Sequence, residues 1–386
     1  MNVRDSEVIK GLLVAGGYKL TDDPKKADVV LFNTCSVRKH AEDRVWSAIG
    51  NIVKMNRVSP IFHAKGARNL SKRDSSPDKK IIGVVGCMAQ NYKEKIFKRA
   101  PGVDFIVGPS DIGQIPEIIQ KIVHGRQSTV HGESKKICIT DMRGRVEEIY
   151  HTGFWEDKKN AHVVISEGCD NYCTYCVVPY VRGRLRHRPA NEIIKEARSA
   201  VKAGIVNITL LGQNVNSYKS SVDFVSLLKE VAKIKGLKSL SFLTSNPKDT
   251  SRELFEVMRD HPVIQKYLHM PLQSGSDKIL KAMNRGYTSK KYLKLVDEYR
   301  SLVYNGKIGT DIIVGFPGER EADFKKTLEL VRSVRFDTAF IFKYSPRPRT
   351  KASLMEDDVR EDLKDRWHSE LLALQRKISK ATVNER

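Results

Sequence analysis

Strand-like and helix-like segments alternate regularly through the second half of the chain. Short apolar runs recur at residues 162–166, 206–211, 239–244, 267–270, 308–314 and 338–344. Segments of helical period lie between them, as at 191–203, where Ile193, Ala197 and Ala200 form one stripe and Gly204 follows as a stop. Strand–helix units in series build a parallel sheet with right-handed crossovers. Six units are fewer than the eight of a closed barrel, so the sequence predicts an open, partial (βα)6 TIM-like barrel. Its site should lie at the carboxyl ends of the strands.

The first 125 residues alternate in the same way on a smaller scale. Strands are predicted at 28–33, 81–86 and 104–107, and helices at 3–14, 41–54, 92–99 and 111–123. This pattern predicts a separate small α/β domain. We therefore expect an N-terminal α/β domain at 1–125, a polar connector at 126–159 and the barrel domain at 160–386. A helix with one buried face, at 359–383, should close the barrel domain.

Length and composition restrict the class of protein. The chain has 386 residues, of which 40% are hydrophobic and 30% charged, so two or three globular domains are expected. Its longest nearly uninterrupted apolar run, 81–89, is far shorter than the ~18 residues that a membrane span needs, and no membrane partner is expected. The charged N-terminus does not resemble a signal peptide. A reducing compartment, the cytoplasm, is therefore favoured, although a mitochondrial precursor that has lost its leader would fit the same sequence.

The charge of the chain favours a polyanionic partner. Lys plus Arg number 68 and Asp plus Glu 46, which gives a net charge of +22. Nucleic acid is the first candidate, and solubility or a basic proteome is the alternative explanation. Part of the positive charge falls in a predicted loop at 54–80. Four arginines, Arg182, Arg184, Arg186 and Arg188, could contact phosphates or form a solvated charge run.

Three of the six cysteines form a C-x3-C-x2-C pattern, Cys169, Cys173 and Cys176, just after the first barrel strand. In a reducing compartment, clustered cysteines are more often metal ligands than disulfides. Three thiolates so close together can hold three irons of an iron–sulfur cubane and leave the fourth iron open to S-adenosylmethionine (SAM). A zinc knuckle is the alternative, but zinc needs a fourth ligand, and none follows at the usual spacing.

Four motifs carry a resemblance to a known family. They are CDNYCTYCVVPYVRGR at 169–184, LLGQNVNSY at 210–218, LHMPLQSGSDKILKAM at 268–283 and TDIIVGFPGE at 310–319. Together they resemble the radical-SAM methylthiotransferases, above all the MiaB-type branch that acts on tRNA, and the resemblance covers nearly the whole chain. It implies methylthiolation of C2 of N6-isopentenyladenosine at position 37 of tRNA. One SAM would methylate a sulfur on an auxiliary cluster, and another would give the radical that abstracts the C2 hydrogen. The alternatives are a methylthiotransferase for threonylcarbamoyladenosine tRNA or for a ribosomal-protein aspartate, and an iron–sulfur RNA-binding remnant.

The resemblance also implies cofactors, ligands and partners. Two 4Fe–4S clusters are implied, one held by Cys169, Cys173 and Cys176, and an auxiliary one held by Cys35 and Cys87. The implied SAM contacts, for each of which ordinary packing is the alternative, are Tyr175, Gln213, Asn214, Ser245, Gln273, Ser274, Ile313, Val314 and Gly315. The implied partners are a tRNA anticodon stem-loop and an external electron donor such as flavodoxin or ferredoxin.

The sequence departs from the family pattern near both ends. The family's first auxiliary cysteine lies in a Gly-Cys-Gln-Met-Asn stretch, whereas this sequence starts at Met1-Asn2. The C-terminal TRAM module of the family does not follow the last helix. We therefore expect a chain truncated at both ends, with an auxiliary cluster that lacks one ligand. Cys138 could substitute, but its apolar neighbours favour a packed thiol. Residues 57–75 resemble an insertion relative to the family.

Overall fold

A computed structural model describes residues 1–36, 39–57, 80–128 and 136–384. The chain divides into two compact units, Asn2–Phe154 and Trp155–Arg386. The basic stretch at 54–80, with the insertion at 57–75, falls largely outside the described residues. None of the described helices is both long enough and apolar enough to cross a membrane.

The N-terminal unit is built on a four-stranded parallel sheet in the order β1-β2-β3-β4. The central strand β2 is buried along its whole length, as expected for a parallel strand that is covered on both faces. The small α/β domain predicted from the sequence is thus confirmed. Its strands are β1 (Val29–Thr34), β2 (Ile81–Gly86), β3 (Phe105–Val107) and β4 (Ile137–Ile139), and its helices are α1 (Asn2–Ala15), α2 (Lys39–Arg57), α3 (Cys87–Tyr92), α4 (Lys95–Arg99) and α5 (Ile115–Ser128).

Most of the predicted connector at 126–159 belongs to the N-terminal unit in the structure. Its strand β4 pairs in parallel with β3 and completes the sheet, and the compact unit continues to Phe154. A strand of three residues flanked by polar sequence gives too short an apolar run to be recognised as a strand. The boundary between the units therefore lies near residue 154 and not at 125. Likewise, the predicted helix at 92–99 is shorter in the structure: α4 covers Lys95–Arg99, and Tyr92 is the last residue of α3.

The second unit contains six parallel strands that follow one another in chain order. They form two three-stranded sheets, β5-β8-β9 and β10-β11-β12, which a parallel bridge between Leu240 and Ile264 connects. The first and last strands share no ladder among the described residues, so the predicted open (βα)6 barrel is confirmed. The strands are β5 (Asn160–Val164), β6 (Ser166–Glu167), β7 (Arg186–His187), β8 (Asn207–Leu211), β9 (Ser239–Leu243), β10 (Tyr267–His269), β11 (Lys307–Val314) and β12 (Thr338–Lys343), of which β6 and β7 form a small antiparallel pair.

The helices of this unit cover one face of the strands. On β11, Ile308, Ile312 and Val314 are buried in the core beneath the helices, whereas Asp311 and Ile313 alternate with them and are half-buried on the inner face. Side chains of this inner face are therefore the ones available to a ligand. The helices are α6 (Val178–Arg182), α7 (Ala190–Lys202), α8 (Phe224–Ala232), α9 (Arg252–Asp260), α10 (Asp277–Ala282), α11 (Ser289–Leu302), α12 (Glu321–Val334) and α13 (Glu361–Asn384).

Candidate metal centre and cofactor site

The three clustered cysteines lie on the loop that follows β6. The loop leaves the strand through Gly168, whose φ is 72°, and a Cβ at this position would lie 2.1 Å from the carbonyl oxygen of Arg184. A glycine is therefore required there. The N–H of Cys169 donates to Gly183 O at 3.2 Å, and the N–H of Cys176 donates to Cys173 O at 2.9 Å. All three cysteines are half-buried, so their sulfurs lie between the fold and solvent.

The end of α10 holds this loop in place. Thr174 donates to Met283 O through its N–H at 3.0 Å and to Ala282 O through its hydroxyl at 2.9 Å. The Asn284 amide donates to Asn171 O at 3.0 Å. The cysteine loop and the segment after β10 are thus fixed to one another without any metal.

The chemistry of the three cysteines fits an iron–sulfur cluster better than a single ion. Thiolates are the ligands of iron–sulfur clusters, whereas a structural zinc site would need a fourth protein ligand beside these three. Burial raises the pKa of Cys169 and raises that of Cys176 to about 12. These two thiols therefore need a bound metal to become thiolates at neutral pH.

Several buried oxygens at the carboxyl ends of the strands make no hydrogen bond within the described chain. They belong to Ser166 in β6, Asn214 after β8 and Gln273 after β10. The Asn214 amide nitrogen donates to Asp249 at 2.6 Å, which fixes the orientation of the amide. Buried acceptors are rarely left without donors in folded proteins. These oxygens fit a ligand that carries amino and hydroxyl donors, as SAM does.

An apolar platform lies beside the cysteines. Tyr175, between the second and third cysteine, and Ile313, on the inner face of β11, both pack against one buried cluster. The members of that cluster are Ile279, Met283, Phe316, Tyr344 and Ala352. Next to Ile313, the N–H of Gly315 donates to the Glu319 carboxylate at 2.6 Å. A flat aromatic group could pack here. Gln213 is half-buried and follows β8 at the same strand end as Asn214.

Three of the residues predicted as SAM contacts have hydrogen-bond or packing partners within the chain. The hydroxyl of Ser245 donates to His269 O. Ser274 is fully buried and its hydroxyl accepts the N–H of Ser276 at 3.2 Å. Val314 points into the core beneath the helices. Their role as SAM contacts stays a prediction.

The arginines after the cysteine loop do not form one basic surface. Arg182 and Arg188 are buried, and Arg188 pairs with Glu196 at 2.6 Å and donates to Val164 O. Their predicted role as phosphate contacts is therefore wrong. The Arg184 side chain is 82% exposed, and Arg186 is half-buried.

In the N-terminal unit, Cys35 and Cys87 lie side by side. They directly follow Thr34 and Gly86, which are partners in the β1–β2 ladder, and neighbouring strands are ~4.8 Å apart. Neither cysteine is in a disulfide. Gly86 has a φ of 91°, and a Cβ there would lie 2.6 Å from Thr34 O, so the close approach of the two strand ends requires glycine. Two cysteines that follow neighbouring strand ends fit two corners of a cluster.

Cys138 lies apart from this pair. It occupies the middle of β4 and is in register with Ile106, not with the strand ends. Burial raises the pKa of its thiol to about 12, and it packs beside the core of the N-terminal unit. This arrangement is that of a packed thiol.

Comparison with known proteins shows the family. Residues 163–331 match the Radical SAM superfamily, and residues 1–108 match the Uncharacterized protein family UPF0004. The tRNA-2-methylthio-N(6)-dimethylallyladenosine synthase of Carboxydothermus hydrogenoformans is 41% identical over 98% of this chain and 82% of its own length. The synthase of the same name from Thermodesulfovibrio yellowstonii is 41% identical over 98% of this chain and 81% of its own. The chain belongs to this synthase family. Its members are radical-SAM methylthiotransferases, which use SAM and 4Fe–4S clusters.

Solved structures agree with this synthase fold. A radical S-adenosylmethionine methyltransferase, TsrM, from Kitasatospora setae superimposes with a TM-score of 0.60 over 91% of this chain and 72% of that chain, at 14% identity. At that identity the likeness concerns the fold alone.

One residue of the synthase site was missed in the sequence. Arg285, which follows α10, is buried and its guanidinium donates to the Cys173 sulfur at 3.2 Å. It lies two residues beyond the third family motif, and a single arginine in a polar turn gives no sign that it is buried. The pairing with Cys173 joins positions 112 residues apart, which no local pattern reveals.

Proposed function

We propose that this chain methylthiolates C2 of N6-isopentenyladenosine at position 37 of tRNA, as the names of its relatives suggest. The observation that supports this most directly is the set of three half-buried cysteines beside strand-end oxygens that make no hydrogen bond within the described chain. Because the relatives are bacterial tRNA-modifying proteins, we place the reaction in the cytoplasm.

In this proposal Cys169, Cys173 and Cys176 would hold a 4Fe–4S cluster, which would supply the one-electron chemistry that an unactivated aromatic C2 requires. Asn214 and Gln273 accept hydrogen bonds from SAM through their buried oxygens. Tyr175 and Ile313 provide the apolar surface for its adenine.

We assign Cys35 and Cys87 to two corners of the auxiliary cluster. Their adjacency at the ends of β1 and β2 supports this assignment. Iron analysis of the reconstituted protein tests it, because two clusters require about eight irons and one cluster about four. Four irons in the wild-type chain and in a Cys87→Ala variant alike would argue against the assignment.

We further propose the anticodon stem-loop of tRNA as the RNA partner and a flavodoxin or ferredoxin as the electron donor. Proteins read single-stranded RNA loops through splayed bases, and an adenosine in the anticodon loop suits that mode. The net charge of +22 supports binding of a polyanion.

The central experiment compares Cys173→Ala with Cys138→Ala. The first variant removes a proposed ligand, whereas the second removes a packed thiol of the other unit and serves as the matched control. With isopentenylated tRNA, SAM and a reductant, the Cys173 variant should form no 5'-deoxyadenosine and no methylthio product by mass spectrometry of digested tRNA. The Cys138 variant should retain both.

Formation of 5'-deoxyadenosine by Cys173→Ala would overturn the ligand assignment. If the wild-type protein methylthiolates threonylcarbamoyladenosine and not isopentenyladenosine, it is a threonylcarbamoyladenosine methylthiotransferase instead.

A further inference from the structure

Arg285 is a buried cation held by four neighbours of different kinds. Its side chain is 6% exposed. The Nε donates to the Tyr287 hydroxyl at 3.0 Å, and Nη2 donates to Pro271 O at 3.2 Å. The remaining nitrogen, Nη1, donates to the Cys173 sulfur at 3.2 Å and lies 3.4 Å from the Tyr175 hydroxyl. The guanidinium is therefore fixed between the strand end after β10 and the cysteine loop.

The turn after α10 places the arginine there. Asn284 adopts a left-handed φ of 58°, and the N–H of Arg285 donates back to Leu280 O at 3.0 Å. Tyr287, which receives the Nε–H, is itself anchored because its hydroxyl donates to Leu272 O at 2.8 Å. A side chain fixed at this many points cannot move away from Cys173 without breaking several hydrogen bonds.

The described part of the chain gives Arg285 no carboxylate partner. Within the described residues, no Asp or Glu forms an ion pair with Arg285, in contrast to the buried Arg188, which pairs with Glu196. Burying a cation without a counter-charge is costly. The Cys173 sulfur is the group in contact with Arg285 that becomes anionic when it binds a metal, since a thiolate is the ligand form.

We propose that Arg285 is a positioning residue that stabilises negative charge on the Cys173 sulfur and thereby raises the reduction potential of the bound cluster. The inference rests on the proposed function through its assignment of Cys173 as a ligand. Reduction adds one electron, supplied by the external donor, and so adds one negative charge beside the guanidinium. Hydrogen bonds and positive charge at a ligand sulfur favour the reduced state.

The test is a potentiometric titration of the reconstituted protein, with dithionite as reductant and electron paramagnetic resonance as readout. Arg285→Gln should keep its iron content, and at a fixed potential its ratio of reduced to oxidised cluster should fall at least tenfold. For a one-electron couple, a tenfold change corresponds to about 59 mV. Arg285→Lys keeps the positive charge but has a different hydrogen-bond geometry. Its reduction potential should therefore lie between those of the wild type and Arg285→Gln.

Arg300→Gln is the matched control, since it removes one cation of the same unit from an exposed position on α11 and should leave the potential unchanged. A fully loaded Arg285→Gln protein with the wild-type potential would overturn the proposal. If that variant does not hold a cluster, a wild-type potential in Arg285→Lys overturns it equally. Loss of the cluster from both variants would show that Arg285 serves assembly and not potential, which also refutes the proposal.

The two proposals fail in distinguishable ways. If Cys173 is not a ligand, Cys173→Ala retains its cluster and its 5'-deoxyadenosine production. If Arg285 does not tune the potential, Cys173→Ala loses the cluster while Arg285→Gln titrates like wild type.

Discussion

At the scale of single residues, Glu319 makes the stability of the segment beside Ile313 depend on pH. Burial raises the pKa of its carboxyl to about 7, although hydrogen bonds from the N–H groups of Gly315 and Phe316 act in the opposite direction. Asp323 also raises this pKa, and Lys278 lowers it. Because the folded value lies above the ordinary 4.5, the folded chain binds more protons than the unfolded chain between about pH 4.5 and pH 7. Stability from this group is complete below pH 4.5 and is lost as the pH rises towards 7.

We therefore expect Glu319→Gln to remove this pH dependence. The wild-type free energy of unfolding, relative to the variant, should fall by about 1.4 kcal/mol per pH unit at most within that window, and then level off. Urea unfolding of both proteins from pH 4.5 to pH 8 measures the difference. Parallel curves for the two proteins would show that Glu319 does not titrate in this range.

At the scale of elements, the last helix depends on one aromatic pair. Trp367 on α13 is fully buried and stacks on Phe324 of α12 at a centroid distance of 5.0 Å and an interplanar angle of 13°. Its indole N–H donates to Glu321 at 3.0 Å. Trp367→Ala should cost about 3–5 kcal/mol in stability, and Trp367→Phe less, because it keeps the stack. Lys377→Ala, exposed on the same helix, should change stability by no more than about 0.5 kcal/mol. Chemical denaturation measures the free energy of unfolding of the three variants. Equal losses in Trp367→Ala and Trp367→Phe would show that the indole N–H, and not the stacking, provides the stabilisation.

The sequence predicted elements far better than side-chain environments. The periodicity of apolar residues predicted all six barrel strands and α13 at the right places, because this periodicity reflects which face of an element is buried. Strand β4 was missed because three residues carry too little periodicity. The cysteines were found because their spacing is local. In contrast, the burial of Arg285 arises from a contact between distant segments, because this side chain donates to the Cys173 sulfur 112 residues away. No local pattern in the sequence reveals such a contact.

At the scale of the whole molecule, the charge of +22 should govern RNA affinity. Each phosphate that the protein neutralises adds about 0.7–0.9 to the slope of log K against log salt. We expect a steep decrease in affinity for an anticodon stem-loop between 50 and 200 mM salt, measured by fluorescence anisotropy. Arg184→Ala should lower the slope by about one phosphate if this exposed side chain contacts the backbone. A salt-independent affinity would contradict an electrostatic mode of binding.

The pairing of Thr34 with Gly86 fixes where Cys35 and Cys87 leave their strands. A slip of β1 by one residue along β2 would turn Cys35 to the opposite face of the sheet, and a slip of two would carry it about 6.6 Å along the strand. The hydroxyl of Thr34 resists both movements, since it donates to Val85 O at 2.6 Å and accepts the N–H of Met88 at 3.2 Å. The relative position of Cys35 and Cys87 is therefore set by the backbone ladder, which the Thr34 hydroxyl stabilises. This positioning requires no contact between the ladder and the cluster.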